Sequence, residues 1–157
     1  MRDLEHISQG RDINEVMATI PYVAFLGITF EKVGDELLGK LTFKQDLIGN
    51  PSLPALHGGV IGGFLETAAI VQVARESKIS VLPKTIDITI DYLRSGRPLD
   101  TYARATITKH GRRVANVQVI AWQDDPEKPI AAAHGHFLLE PLGDGSGDTN
   151  GDSSIAG

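Results

Sequence analysis

The sequence predicts an α+β fold in which a curved antiparallel sheet wraps around one long central helix. Three observations carry this. Residues 64–73, "FLETAAIVQV", form a helix-length segment that is apolar nearly all round, so it must be covered on most sides. Residues 85–92 instead alternate with period two, the mark of a strand with one face buried. The remaining strand-like segments are joined by short turns, which pair neighbours antiparallel.

The elements follow in order. "INEVMATI" (13–20) suits a short helix, with Asp12 as its cap and Pro21 behind it. "ITFEKVGDELLGKLTFK" reads as two strands turning at Gly34-Asp35. Residues 45–57, "QDLIGNPSLPALH", read as a loop with two prolines. The long helix then opens on Gly58, Gly59, Gly62 and Gly63 and ends near "ARESK". Four glycines inside a helix would cost about 3–4 kcal/mol. Gly58 and Gly59 are expected at or before the first turn, where most of that penalty does not apply.

Beyond Pro83, "KTIDITIDYLR" places Ile86, Ile88, Ile90 and Tyr92 on one face. Thr85, Asp87, Thr89 and Asp91 fall on the other. "TYARATITKHGRRVANVQVIAWQDD" reads as a hairpin turning at Gly111, and "KPIAAAHGHFLLE" as a closing strand. The expected organisation is an N-terminal segment with a short helix (1–20), one domain (21–140) and a flexible acidic Gly/Ser tail (141–157). No internal repeat is evident.

Composition narrows the function. The chain has 157 residues, enough for one core, with 41% hydrophobic and 22% charged residues. It has no cysteine, which excludes disulfides and thiolate metal sites. The start, "MRDLEHISQGRD", lacks the apolar stretch of a signal peptide, and no apolar run approaches a membrane span. A soluble, cytoplasmic protein is expected. Net charge is −5, but residues 1–140 hold 15 basic against 17 acidic residues, a net −2. That body offers no general attraction for nucleic acid or an anionic membrane.

Asn50, His57-Gly58-Gly59 and Glu66 form the pattern N-x6-HGG-x6-E. It resembles the signature of hotdog-fold acyl-CoA thioesterases in the phenylacetate and 4-hydroxybenzoyl-CoA branches. "TIDITIDYLRSG" (85–96) is similar to that family's T-x-D-x-x-x-x-Y-x-R strand, and "GRRVA" (111–115) resembles its coenzyme-A-side hairpin. The likeness runs from about residue 25 to 139. Many relatives place Asp where this chain has Glu66, and Asn50 stands one residue further from His57 than in many of them. The resemblance implies an acyl-CoA substrate, no cofactor apart from the coenzyme A of that substrate, and a homo-oligomer, dimer or tetramer.

Thioester hydrolysis requires a donor for the developing oxyanion, a base or nucleophile, and a water. A backbone N–H at a helix N-terminus is unpaired and carries the positive end of the helix dipole, and glycine there lets a carbonyl approach. Gly58 is the expected donor, with Gly59 beside it, and Glu66 the base or nucleophile. Eight residues separate Gly58 from Glu66, about 12 Å along a helix, too far for one carbonyl carbon. A two-fold dimer closes that gap if Gly58 of one subunit faces Glu66 of the other, which is how the family builds its sites. Close approach of that partner would also account for Gly62 and Gly63.

The remaining candidates each carry a plainer reading. Asn50 is a donor or water holder, or else an Asx-turn beside Pro51. His57 is catalytic, or bonded to its own loop. Thr85 positions the attacking water, or is one more strand threonine. Arg112 and Arg113, with Lys109, Arg94 and Arg97 as outliers, are the candidates for the coenzyme's phosphates, or a solvated turn. His134 and His136 share a strand face, but no third ligand joins them in sequence, so no metal is expected. Nucleophile-elbow, phosphate-loop and dinucleotide motifs are absent. Two other functions remain open: a hotdog hydratase or dehydratase, and a non-catalytic acyl-CoA-binding module.

Overall fold

The computed structural model describes residues 12–77 and 81–140. The acidic tail over 141–157, and residues 1–11 of the N-terminal segment, lie outside the described residues.

Helix α1 (Ile13–Ala18) is capped as expected: the Asp12 carboxylate accepts the Asn14 N–H at 3.0 Å. Asn14 then docks it. Its amide donates to the Phe30 carbonyl at 2.8 Å and its oxygen accepts the Phe30 N–H at 2.7 Å. Pro21 does not simply stop the chain; it opens a second helix, α2 (Pro21–Leu26), at the first helical position, where its missing N–H costs nothing. Gly27 ends α2 at φ 75°, a backbone state that favours glycine. α2 buries Val23 and Leu26 and leaves Tyr22 and Phe25 exposed.

Strands β1 (Ile28–Val33) and β2 (Glu36–Leu41) form the expected hairpin, with Val33 opposite Glu36 across the turn. The segment expected as a loop contains a 3-10 turn, Gln45–Leu47, and a small two-stranded ribbon of β3 (Ile48–Asn50) and β4 (Ala55–Leu56). The ribbon leads into α3 (Gly58–Ser77), and the His57 N–H donates to the Leu47 carbonyl at 2.9 Å. The chain closes with β5 (Lys84–Tyr92), β6 (Thr101–His110), β7 (Val114–Trp122) and β8 (Ala131–Leu138).

Six of these strands make one antiparallel sheet in the order β1-β2-β6-β7-β8-β5, and α3 packs against β2, β5, β6, β7 and β8. This is the hotdog arrangement. Phe64, Leu65, Val71 and Val73 of α3 are fully buried among Leu41, Val117, Val119 and Phe137 of the sheet. Each such side chain contributes about 1.5–3 kcal/mol, so together they outweigh the glycines.

Gly62 and Gly63 have an explanation within the chain itself. A Cβ at Gly62 would lie 3.0 Å from Ile90 Cδ1, and one at Gly63 would lie 3.1 Å from the Tyr22 ring. The space expected for a partner helix is held by the chain's own Ile90 and Tyr22.

The simple alternation expected for β5 also fails at its start. The β5–β8 register shifts between Thr85 and Asp87, where β5 carries one extra residue. That bulge moves Thr85 to the helix side, with Ile88, Ile90 and Tyr92, and leaves Ile86 54% exposed.

Candidate active site

The first four N–H groups of an α-helix have no intrahelical partner. In α3 they belong to the cap residue His57 and to Gly58, Gly59 and Val60; the His57 N–H is taken by the Leu47 carbonyl, and His57 itself closes two more. Its carbonyl accepts the Val60 N–H at 3.0 Å as well as the first regular helical bond, from Ile61 at 3.2 Å. Its ring Nδ1 accepts the Gly59 N–H at 2.9 Å, which leaves the ring proton on Nε2. Gly59 is therefore occupied, and the His57 ring is bonded to its own loop. No acceptor meets the Gly58 N–H among the described residues. The Gly58 carbonyl, one peptide beyond the open N–H, accepts the Tyr92 hydroxyl at 2.7 Å, which ties the first turn of α3 to β5.

Two turns along the helix, Glu66 sits half-buried, and its Oε1 accepts the Thr85 hydroxyl at 2.6 Å. The bond joins α3 to β5 and holds the carboxylate in place. Because Thr85 donates to Glu66, its oxygen lone pairs still face outward as acceptors. Tyr92 meets Gly58, Ile90 meets Gly62 and Thr85 meets Glu66, so β5 runs antiparallel beside the helix.

The basic residues divide between the two ends of α3. At the C-terminal end, Ser77 Oγ lies 2.7 Å from His110 Nε2, which ties the helix to the β6–β7 hairpin. That hairpin closes through Gly111, whose N–H donates to the Val114 carbonyl at 2.9 Å. Around it, Lys109, Gly111, Arg112, Arg113, Val114 and Asn116 line a groove of ≈ 840 Å³. Arg112 and Arg113 are exposed, and neither pairs with a carboxylate among the described residues. At the other end, a ≈ 350 Å³ hollow brings Arg94 beside Leu56, Gly58, Ile61 and Tyr92. Arg94 donates to the Pro129 carbonyl at 2.6 Å, and Arg97 pairs with Asp124. The 20 residues of α3 span about 30 Å, so one chain does not gather Arg94 with Arg112 and Arg113.

Asn50 forms the plainer of its two expected structures. Its side-chain oxygen accepts the Ser52 and Leu53 N–H groups at 3.0 and 3.2 Å, an Asx-type turn. His136 Nδ1 lies 2.8 Å from Asp87 Oδ1 across the β5–β8 pair. This hydrogen bond holds the Asp87 carboxyl below the usual carboxylate range. No group of three metal-ligating side chains exists among the described residues, and no helix there is long and apolar enough to cross a membrane.

Tyr92 belongs to the strand pattern that resembles the family's, but sequence reading gave it no role; the structure places its hydroxyl at the start of α3. Its signal was an aromatic placed two residues past Ile90 at the end of an alternating strand, where it reaches the start of the buried helix.

Comparison with known proteins bears on the fold and the family. The family model of the thioesterase superfamily matches residues 53–130. The medium/long-chain acyl-CoA thioesterase YigI of Escherichia coli K12 is 30% identical over 136 residues, covering 76% of this chain and 86% of its own. A crystal structure of a Chromobacterium violaceum protein superposes with a TM-score of 0.73 at 40% identity, covering 91% of this chain and 100% of that one. The Bacillus halodurans protein BH2602, solved with CoA, shares the fold at 22% identity and a TM-score of 0.69, covering 89% and 93% of the two chains.

Proposed function

Since the chain belongs to the thioesterase superfamily and is a thioester hydrolase, we propose that it hydrolyses a small or medium acyl- or aryl-CoA at sites shared by two copies of the chain. YigI, an acyl-CoA thioesterase, supports the coenzyme A ester as substrate class. The observation that carries the site is the single open N–H at Gly58, set against a carboxylate held by Thr85 two turns further on.

Gly58 N–H binds the thioester oxygen and strengthens its hold as the oxygen becomes anionic. Glu66 of the other subunit is the base or the nucleophile. As base, it takes a proton from water, whose oxygen attacks the carbonyl carbon. The tetrahedral intermediate then expels the coenzyme A sulfur, which takes up the proton from Glu66. As nucleophile, Glu66 attacks the carbonyl carbon and the C–S bond breaks, releasing coenzyme A as its thiolate; water then hydrolyses the resulting anhydride to the free acid and the Glu66 carboxylate, and the proton released passes to the thiolate. Thr85 orients the carboxylate in either case.

The sharing of the site requires an antiparallel pairing of two β5 strands about a two-fold axis. β5 is a nine-residue edge strand whose Tyr92 end lies at Gly58 and whose Thr85 end lies at Glu66, so a two-fold axis across its middle would set Gly58 of one copy beside Glu66 of the other. Arg94 of one copy then approaches Arg112 and Arg113 of its neighbour, where the phosphates of coenzyme A bind.

Glu66→Gln tests this reading. It keeps size and hydrogen bonding but removes charge and basicity, so kcat should fall by at least roughly 10², with acyl-CoA binding retained. Gly58→Pro removes the donor at a helix position that tolerates proline. Mixing the two variants should regenerate one intact site per mixed dimer. A wild-type rate from Glu66→Gln would make the carboxylate structural and end the proposal.

A further inference from the structure

β5 and β8 pair in step except between Thr85 and Asp87, where Ile86 is the extra residue. In an unbulged strand Thr85 and Asp87 share a face, because side chains alternate with period two. Here they do not. Thr85 points to α3 and bonds Glu66, while Asp87 remains on the outer face of the sheet. The Thr85–Glu66 bond therefore exists only while the bulge stays where it is.

Within one chain, little besides its pairing with β8 holds a bulge on this strand. β5 lies at the edge of the sheet, with a ladder on one side only among the described residues. Two contacts pin it from β8. Asp87 and His136 are register partners, and their side chains meet at 2.8 Å. At the neighbouring Gly135, a Cβ would come within 2.6 Å of the Asp87 carbonyl oxygen, so the absent side chain lets the bulged backbone lie against β8. Asp87 and His136 are 59% and 43% exposed and add nothing to the core, so a packing role does not account for them.

We propose that Asp87 and His136 are positioning residues for the hydrolytic site: their bond on the outer face locks the β5 bulge in the register that aims Thr85 at Glu66. The proposal rests on Glu66 being the catalytic carboxylate. It assigns a kinetic role to two residues on the far side of the sheet from the substrate.

A double-mutant cycle on the full chain tests it. Asp87→Ala and His136→Ala should each lower kcat about 10- to 100-fold with KM for acyl-CoA nearly unchanged, the scale of a small misplacement of a catalytic group. Asp87→Asn keeps an acceptor for the ring and should restore most of the rate. In a Thr85→Ala background, Asp87→Ala should cost nothing further, because it acts only through Thr85. Equal losses in both backgrounds, a wild-type kcat in Asp87→Ala, or a loss matched by less folded protein in thermal melts would each overturn it. Glu66→Gln run alongside separates the two failures. If that variant is dead while the cycle is additive, the lock alone is wrong; if it is fully active, the site reading falls and the lock with it.

Discussion

At the scale of single residues, the proposed site divides binding from chemistry. Arg112 and Arg113 stand at the hairpin, remote from Glu66, so their contacts should serve ground and transition states alike. Arg112→Ala with Arg113→Ala is expected to raise KM for acyl-CoA far more than it lowers kcat, and to leave a short thioester lacking the nucleotide unaffected. Steady-state kinetics on both substrates checks this. Tyr92→Phe should do the reverse: losing the bond to the Gly58 carbonyl loosens the first turn of α3, which carries the donor, and lowers kcat with KM little changed. Glu66, His57 and Gly58 could be found in the sequence because an acid at a fixed distance beyond a glycine pair is a local pattern. Two things were not readable. The partner of Thr85 depends on a bulge that alternation alone does not reveal, and His57's choice of Gly59 over Gly58 is a matter of ring orientation.

At the scale of elements, short contacts between distant segments hold the frame of the site. Asn14 joins α1 to β1 through two bonds to Phe30, so Asn14→Ala should cost about 1–3 kcal/mol, measured by urea unfolding. Asp100, just before β6, accepts the Phe43 N–H at 2.8 Å and pairs with Lys40 at 3.0 Å. The Phe43 bond first, and then Lys40, hold its carboxyl below the usual carboxylate range. A depressed carboxylate stabilises the fold above its unfolded pKa, about 4, and that stability is lost as pH falls through the lower folded value. The stability gap between wild type and Asp100→Asn should therefore be constant near neutrality and narrow below about pH 4. The long elements, α3 by its apolar run and β5 to β8 by their strand patterns, were plain in the sequence. α2, β3 and β4 were not. They are too short for periodicity to register, and Pro21 reads equally as a helix stop and a helix start.

For the whole molecule, the central prediction is association. Sedimentation should show a dimer or a tetramer of two dimers, and activity should fade on dilution below the dissociation range; a fully active monomer would contradict the shared site. Removing residues after Pro141 should leave activity and melting temperature nearly unchanged, since that tail carries little apolar surface. The general plan was legible because a helix apolar on nearly every side demands a sheet that covers it. The strand order was not. That β5 pairs with β8 at the far edge, although 38 residues separate Tyr92 from its register partner Ala131, is decided by long-range packing that no local pattern records.

The way His57 closes the start of α3 bears on how an enzyme turn ends. With three of the four free N–H groups already taken, the helix offers a single donor. A thioester presents one oxygen and fits it. The carboxylate released by hydrolysis presents two, and its negative charge faces that of Glu66. One oxygen is left without a partner, and like charges repel across the cleft. The acid should therefore leave readily and free coenzyme A should linger at the hairpin. Product inhibition should be strong by the thiol and weak by the acid, a ratio that initial rates with each product added separately will measure.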